Sequence, residues 1–278
     1  MTEIERGPVW LFVPGTRPDR FEKALATGAD QVVVDLEDAV APAVKGEARA
    51  EVVRWLSSGD AVAWVRVNAP ATPRQAEDLA ALRACSGLRG VVVPKVERPG
   101  DVQRVRDALG PETAIVALVE TAAGIEALPQ VVGAPGLERL ALGSVDLALD
   151  LDCGPDSPVL RVAEARLVLA SRAAGLEAPL AGVSTGLRDA EAVRADAVAA
   201  RRDGFGGKLA LHPLHVAVIR DAFSPTAADV EWARTVLAAD DGTGVATVRG
   251  ELVDAPVTMR ARRILAQTSV DDGRRTAR

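Results

Sequence analysis

The 278-residue chain contains no tyrosine, and aromatic residues make up only 3% of it. Tyrosine acid–base chemistry is therefore excluded. A platform for stacking nucleic-acid bases, which needs exposed rings, is not expected. Only two cysteines occur, Cys85 and Cys153, far apart and outside any CxxC pair. They argue against a disulfide scaffold and fit a reducing, cytoplasmic setting. The two histidines lie in His212-Pro213-Leu214-His215, a spacing that is not a zinc motif. No apolar run approaches the roughly 20 residues that a membrane helix needs. The stretch Met1 to Gly7 is charged and lacks the apolar centre of a signal peptide. Positive charge is also short: 33 Lys and Arg against 39 Asp and Glu give a net charge of −6. That balance argues against nucleic acid or an acidic membrane as a partner, while leaving room for a local anion pocket.

What the chain does have is apolar sequence, at 48% of residues, in a repeating order. Short β-favouring runs are Val9–Val13, Gln31–Asp35, Ala61–Val67, Gly90–Lys95, Ile115–Glu120, Leu140–Gly143, Pro179–Val183 and Gly207–Leu211. Helix-like segments follow them, among them Lys45–Leu56, Pro73–Leu82, Pro99–Leu109, Ala122–Val132, Val159–Ala174, Arg188–Arg201 and Pro213–Phe223. Continuously apolar strands are what a parallel sheet buried on both faces demands. Eight strand–helix alternations predict an α/β fold, a (β/α)8 TIM barrel, over residues 1–223. A doubly wound sheet would place a Gly-rich phosphate loop after the first strand, and Phe12-Val13-Pro14-Gly15-Thr16-Arg17 is not one. Residues 224–278 read as a C-terminal helical arm. It has helices over Ala227–Ala239 and Val257–Ala266, a link at Asp240–Gly244 and an extended piece at Thr247–Asp254. Its polar end, Asp271–Arg278, is expected to be disordered.

Barrels of this kind carry their active sites at the C-terminal ends of the strands. The side chains expected there are Arg17, Asp35, Glu37, Asp38, Arg66, Lys95, Glu120, Asp146, Ser184 and His212. So many charges share a concave site only if they neutralise one another. Glu120 and Asp146 each end an apolar run, and two carboxylates with hard oxygen donors suit Mg²⁺. The competing reading pairs these acids with Arg66 and Lys95 as structural ion pairs. Arg66 has the planar fork that binds a carboxylate through two parallel hydrogen bonds, or else a salt bridge to Asp35 or Glu37. Lys95 either neutralises substrate or pairs with Glu97. His212 is expected to hydrogen-bond within the barrel mouth. Gly204-Phe205-Gly206-Gly207-Lys208 has Leu209 where a phosphate loop needs Ser or Thr, Asp150–Gly154 reads as a solvated loop, and Ser184 has no triad partners at recognisable spacing.

The chain resembles the citrate lyase β-subunit family within the HpcH/HpaI aldolase group, which includes malyl-CoA and citramalyl-CoA lyases. The matching stretches are Phe12-Val13-Pro14-Gly15, Arg20–Ala24, Asp35-Leu36-Glu37-Asp38-Ala39-Val40 with Pro42 and Lys45, and Val65-Arg66-Val67-Asn68. Pro94-Lys95-Val96-Glu97, Val119-Glu120-Thr121, Gly143–Asp146, Gly207-Lys208, His212-Pro213, Phe223-Ser224-Pro225 and Gly250–Pro256 complete them.

The resemblance implies a Mg²⁺-dependent carbon–carbon lyase. It would split a 3-hydroxyacyl-CoA into acetyl-CoA or a related acyl-CoA and an α-keto acid. Glu120 and Asp146 then match the metal ligands, and Arg66 the clamp on the keto-acid carboxylate. Phe12, Arg17 and Lys23 match positions that contact CoA. Asp254 matches an acid brought over the site by a neighbouring subunit of a trimer or hexamer. Candidate catalytic residues are Arg66, Asp254, Asp35 and Glu37, with substrate contacts from Arg66, Lys95, Gly143, Ser144 and Val145. Two departures bear on the substrate: Ser144 and Val145 stand where many relatives carry an acid just before the ligand Asp, and His215 replaces a common Gln. A malate-synthase-like condensation with thioester hydrolysis, or a non-catalytic barrel binding CoA or an acyl carrier, are the alternatives.

Overall fold

Runs rich in valine, isoleucine and leucine favour extended backbone, because branched side chains pack well on a pleated surface. In the computed structural model, which describes residues 7–59, 61–240, 246–248 and 251–276, eight of them are strands. They are β1 (Val9–Pro14), β2 (Gln31–Asp35), β3 (Ala63–Arg66), β4 (Leu88–Val93), β5 (Ala114–Val119), β6 (Leu137–Leu142), β7 (Glu177–Ala181) and β8 (Gly207–Ala210). Each pairs in parallel with the next, and β1 pairs with β8, so the sheet closes into a barrel. The fold is a TIM barrel, as the alternation of strands and helices predicts.

Helices connect the strands: α1 (Phe21–Leu25), α2 (Lys45–Leu56), α3 (Pro73–Leu82), α4 (Pro99–Leu109), α5 (Ala122–Glu126), α6 (Leu128–Val131), α7 (Ser144–Asp150), α8 (Pro158–Ala173), α9 (Ala190–Arg202) and α10 (Leu214–Phe223). Their starts are written locally. Thr72 and Thr121 accept hydrogen bonds from the amides of Gln75 and Gly124, and Pro73 stands at a first-turn position that needs no N–H donor.

Alternation along the strands decides what lies inside. Trp10, Val33, Trp64, Val92, Ala114, Val116, Leu118, Ala141, Leu180 and Leu209 fill the barrel interior. Trp10 and Trp64 meet with ring centroids 4.8 Å apart, and the Trp64 indole donates to Gln31 Oε1 at 2.8 Å. Side chains two apart share a face. Glu120 thus continues the inward series Ala114, Val116, Leu118, and Asp35 and Arg66 follow Val33 and Trp64. The strand register sets Asp35 directly beside Arg66.

The structure departs from the sequence expectations in five places. The seventh strand lies two residues earlier, Glu177–Ala181 rather than Pro179–Val183. The helix expected over Ala122–Val132 is two short helices that meet at Ala127, with Pro129 in the first turn of the second. The segment after β6, for which the sequence predicts no element, is a helix, α7. Asp150 does not simply face solvent: its carboxylate accepts the Ala122 amide at 2.7 Å, which caps the first turn of α5. The polar C-terminal end is helical as far as Thr276: α12 (Ala255–Thr276) runs well past Ala266, and residues 277–278 lie outside the described residues.

The chain forms two compact units, Met1–Arg220 and Asp221–Arg278. In the second, α11 (Ala227–Ala239) and α12 accompany an antiparallel pair, β9 (Ala246–Val248) and β10 (Glu251–Val253). Its core is Ala233, Val236, Val253, Ala261 and Ile264. Most of the expected link at Asp240–Gly244 lies outside the described residues. Among the described residues no helix is long and apolar enough to cross a membrane.

Candidate active site

Strand ends β2 to β6 deliver a connected set of charges. The Asp35 carboxylate accepts Arg66 Nε at 2.7 Å and Nη2 at 2.6 Å. It also accepts the backbone amides of Glu37 at 2.8 Å and Ala39 at 3.1 Å. With both oxygens occupied, Asp35 holds the guanidinium plane in one orientation. Arg66 Nη1 lies 3.1 Å from Glu37, and the Phe12 ring sits 5.2 Å from the guanidinium carbon. Burial works against the Arg66 charge, but Asp35 and Glu37 outweigh it and raise its pKa. The ion pair with Asp35 that the sequence left open is therefore present. It uses one edge of the fork.

Lys95 connects the second and fifth strands. Its φ of +50° lies in the left-handed region, uncommon for a residue with a side chain. The turn aims its backbone amide at Glu120 Oε1, 2.9 Å away, and its ammonium at Glu37 Oε1, 2.5 Å away. Of the two alternatives for Lys95, the pairing with Glu97 does not form: Glu97 accepts the Thr121 hydroxyl at 2.9 Å. Lys45, quoted in the sequence only as part of a motif, donates to the carbonyls of Leu36 at 2.8 Å and Glu37 at 2.7 Å and so fixes the acidic loop after β2. A lysine ten residues beyond the acidic strand end at Asp35 is the signal that could have pointed to it.

Glu120 is 1% exposed, and its Oε2 has no hydrogen-bond partner. Burial, reinforced by the charges of Glu37 and Asp146, pushes its pKa up to about 8. An orphaned buried oxygen of this sort costs about 1–3 kcal/mol. Gly143 lies against it: a Cβ at that position would fall 2.2 Å from Glu120 Oε2. Gly143 precedes α7, which carries Asp146 in its first turn, where a helix favours an acid. Among the described residues no three or more His, Cys, Asp or Glu side chains form a metal cage. Two carboxylates fit a Mg²⁺ that keeps water and substrate oxygens, since Mg²⁺ rarely takes an all-protein shell. The unpartnered Glu120 oxygen and the missing Cβ of Gly143 are compatible with such an ion there.

Of the remaining candidates, Ser144 and Val145 form the first turn of α7 next to Gly143. Beyond β1, Arg17 is half-buried and paired to Asp19 at 2.8 Å, and Lys23 is exposed. Asp254 belongs to the second unit, where its carboxylate accepts the Val257 amide at 3.2 Å and caps α12. His212 hydrogen-bonds locally just after β8: its Nδ1 accepts the Leu214 amide at 3.2 Å. Buried His215 instead lies 3.1 Å from the Leu187 carbonyl. Ser184 donates to Asp196 at 2.6 Å, a pair without the histidine a triad requires.

This arrangement has relatives. The HpcH/HpaI aldolase/citrate lyase family model matches residues 9–213. A citrate lyase subunit beta-like protein of Deinococcus radiodurans is 36% identical over 273 residues, covering 92% of this chain and 95% of that protein. A (3S)-malyl-CoA thioesterase of Cereibacter sphaeroides is 34% identical over 267 residues, covering 92% and 93%. The crystal structure of the protein CitE from Mycobacterium tuberculosis with magnesium, acetoacetate and coenzyme A is 32% identical. It covers 96% of this chain and 99% of its own, with a TM-score of 0.83. Fold, strand-end charges and sequence agree over most of the chain: it belongs to the HpcH/HpaI aldolase/citrate lyase family.

Proposed function

We propose that this protein is a Mg²⁺-dependent lyase that cleaves the carbon–carbon bond of a 3-hydroxyacyl-CoA of the citryl-, malyl- or citramalyl-CoA type. The products are acetyl-CoA or a related acyl-CoA and an α-keto acid such as oxaloacetate, glyoxylate or pyruvate. The observation that carries the reading is the buried, unpartnered Glu120 oxygen facing Gly143, with Asp146 and Arg66 around it. The M. tuberculosis protein solved with magnesium, acetoacetate and coenzyme A supports the same ligand classes here.

Glu120 and Asp146 hold the metal in this reading. When bound, Mg²⁺ supplies Lewis-acid stabilisation of the oxygen that passes from hydroxyl to carbonyl. Arg66, oriented by Asp35, presents Nη1 to the carboxylate next to that oxygen in exchange for its contact with Glu37, which keeps its pairing with Lys95, and so fixes the substrate's orientation. Lys95 and Glu37 keep the acidic groups neutralised as a pair, and Gly143, Ser144 and Val145 line the substrate. In cleavage the hydroxyl proton passes to a carboxylate base, Glu37, as the hydroxyl carbon becomes the keto-acid carbonyl, and Asp254 enters the step protonated. The bonding pair moves to the thioester α-carbon as an enolate. Asp254 delivers a proton to that carbon, giving the acyl-CoA. Phe12 lies under the reacting end, and Arg17 and Lys23 take the phosphates of CoA. The barrel of residues 1–223 is the catalytic domain, and the 224–278 arm lies over a neighbouring subunit in a cytoplasmic homotrimer or a dimer of trimers.

A malate-synthase-like condensation followed by thioester hydrolysis is the second reading, favoured by the relative named as a malyl-CoA thioesterase. The test is turnover of a panel of 3-hydroxyacyl-CoAs with Mg²⁺ and with chelator. The lyase reading expects Mg²⁺-dependent keto-acid release that Glu120→Ala abolishes. CoA binding without turnover of any substrate favours a binding module instead.

A further inference from the structure

Lys208 stands apart from the site just described, on β8, one position from the inward-facing Leu209. It is 4% exposed, and Asp196 and Glu164, which line one cavity with it, act on its charge without a direct ion pair among the described residues. A buried ammonium with only such distant counter-charges is costly, and an apolar side chain of the same length would avoid that cost. The ammonium donates to one carbonyl, that of Gly182, at 2.6 Å.

Gly182 follows β7 and lies flush against the start of α7. A Cβ there would fall 2.3 Å from Ser144 Oγ and 3.2 Å from the Leu142 carbonyl. Ser144 is two residues before Asp146 in the same helix. On its other side the segment is bounded by Gly143, which lies equally close to Glu120. The α7 N-terminus is therefore set between two glycines, and Lys208 ties down the one remote from Glu120. Beside it opens a cavity of about 480 Å³, lined in part by Ser144, Val145, Gly182, Ser184 and Lys208. The Lys208 ammonium, also on that lining, is the side-chain group that holds the Gly182 carbonyl.

We propose that Lys208 is a positioning residue that sets the place of Asp146 through Gly182 and Ser144. The inference rests on the reading of Glu120 and Asp146 as the Mg²⁺ ligands. Loss of a group that orients a metal ligand typically weakens binding 10–100-fold, and an indirect support belongs at the low end, about tenfold.

Titration calorimetry of Mg²⁺ into chelator-treated protein tests it, with urea unfolding of the same samples. Lys208→Met is expected to weaken Mg²⁺ binding about tenfold while staying folded. Lys208→Arg, which keeps a donor for Gly182, restores most of the affinity. Gly182→Ala, which pushes on Ser144 without touching Lys208, also weakens Mg²⁺ binding, and adding Ser144→Gly recovers it. Folded Lys208→Met that binds Mg²⁺ as the wild type does would overturn the inference, as would unchanged affinity in Gly182→Ala. A wild-type protein that binds no Mg²⁺ would instead overturn the metal reading beneath it.

Discussion

Glu120 keeps its proton until the pH nears about 8, whereas the same group in an unfolded chain ionises near 4.5. Between those values the folded state binds more protons than the unfolded one. The stability of the metal-free protein therefore falls as pH rises through that window. Glu120→Gln removes the titrating group, and its unfolding midpoint should lose that part of the pH dependence. Mg²⁺ binding requires the carboxylate. Its affinity should rise up to roughly tenfold per pH unit below about pH 8 and level off above it, with proton release measurable by calorimetry in buffers of different ionisation enthalpy. An affinity unchanged between pH 6 and 8 would contradict a Glu120 ligand. Gly143→Ala tests the same oxygen sterically: the added carbon, 2.2 Å from Oε2, should weaken Mg²⁺ binding at least tenfold, the scale on which misplaced metal ligands act.

At the scale of elements, the strand ends are braced by a second, fully buried carboxylate. Asp78 on α3 accepts the Asn68 amide at 2.8 Å, the Asn68 side chain at 2.6 Å and Arg49 Nε of α2 at 2.8 Å. It ties two helices to the segment after β3. Asp78→Ala leaves these donors unpaired and should cost about 3 kcal/mol in urea unfolding, the scale of breaking a buried pair. Mg²⁺ affinity should change far less. The barrel was legible in the sequence because eight apolar runs each carry a local signal, and because inward alternation from Val116 and Leu118 leads directly to Glu120. α7 was not: Gly143-Ser144-Val145-Asp146 has no strong helix start, and its helix exists because Gly143 and Gly182 let it seat against the barrel. The partner of Lys95 stayed open in the sequence for a related reason. Its partner is set by a left-handed turn rather than by spacing in sequence, and the nearest acid in the chain, Glu97, lost to one 58 residues away.

At the scale of the whole molecule, the proposed arm makes a prediction about stoichiometry. Sedimentation should find trimers or hexamers. Asp254→Ala should keep Mg²⁺ affinity and lower turnover at least a hundredfold, on the scale of lost general acid–base catalysis. Co-expressing Asp254→Ala with Glu120→Ala subunits should restore activity, since some sites then receive Glu120 from one chain and Asp254 from another. No restoration in verified mixed oligomers would place Asp254 in its own chain's site. The (3S)-malyl-CoA thioesterase relative makes the fate of the thioester the decisive question. The most direct measurement follows keto acid and free thiol together as a 3-hydroxyacyl-CoA is consumed with Mg²⁺. The lyase account predicts one keto acid for each thioester consumed, intact acyl-CoA and no free thiol; free CoA with an intact hydroxy acid would contradict it.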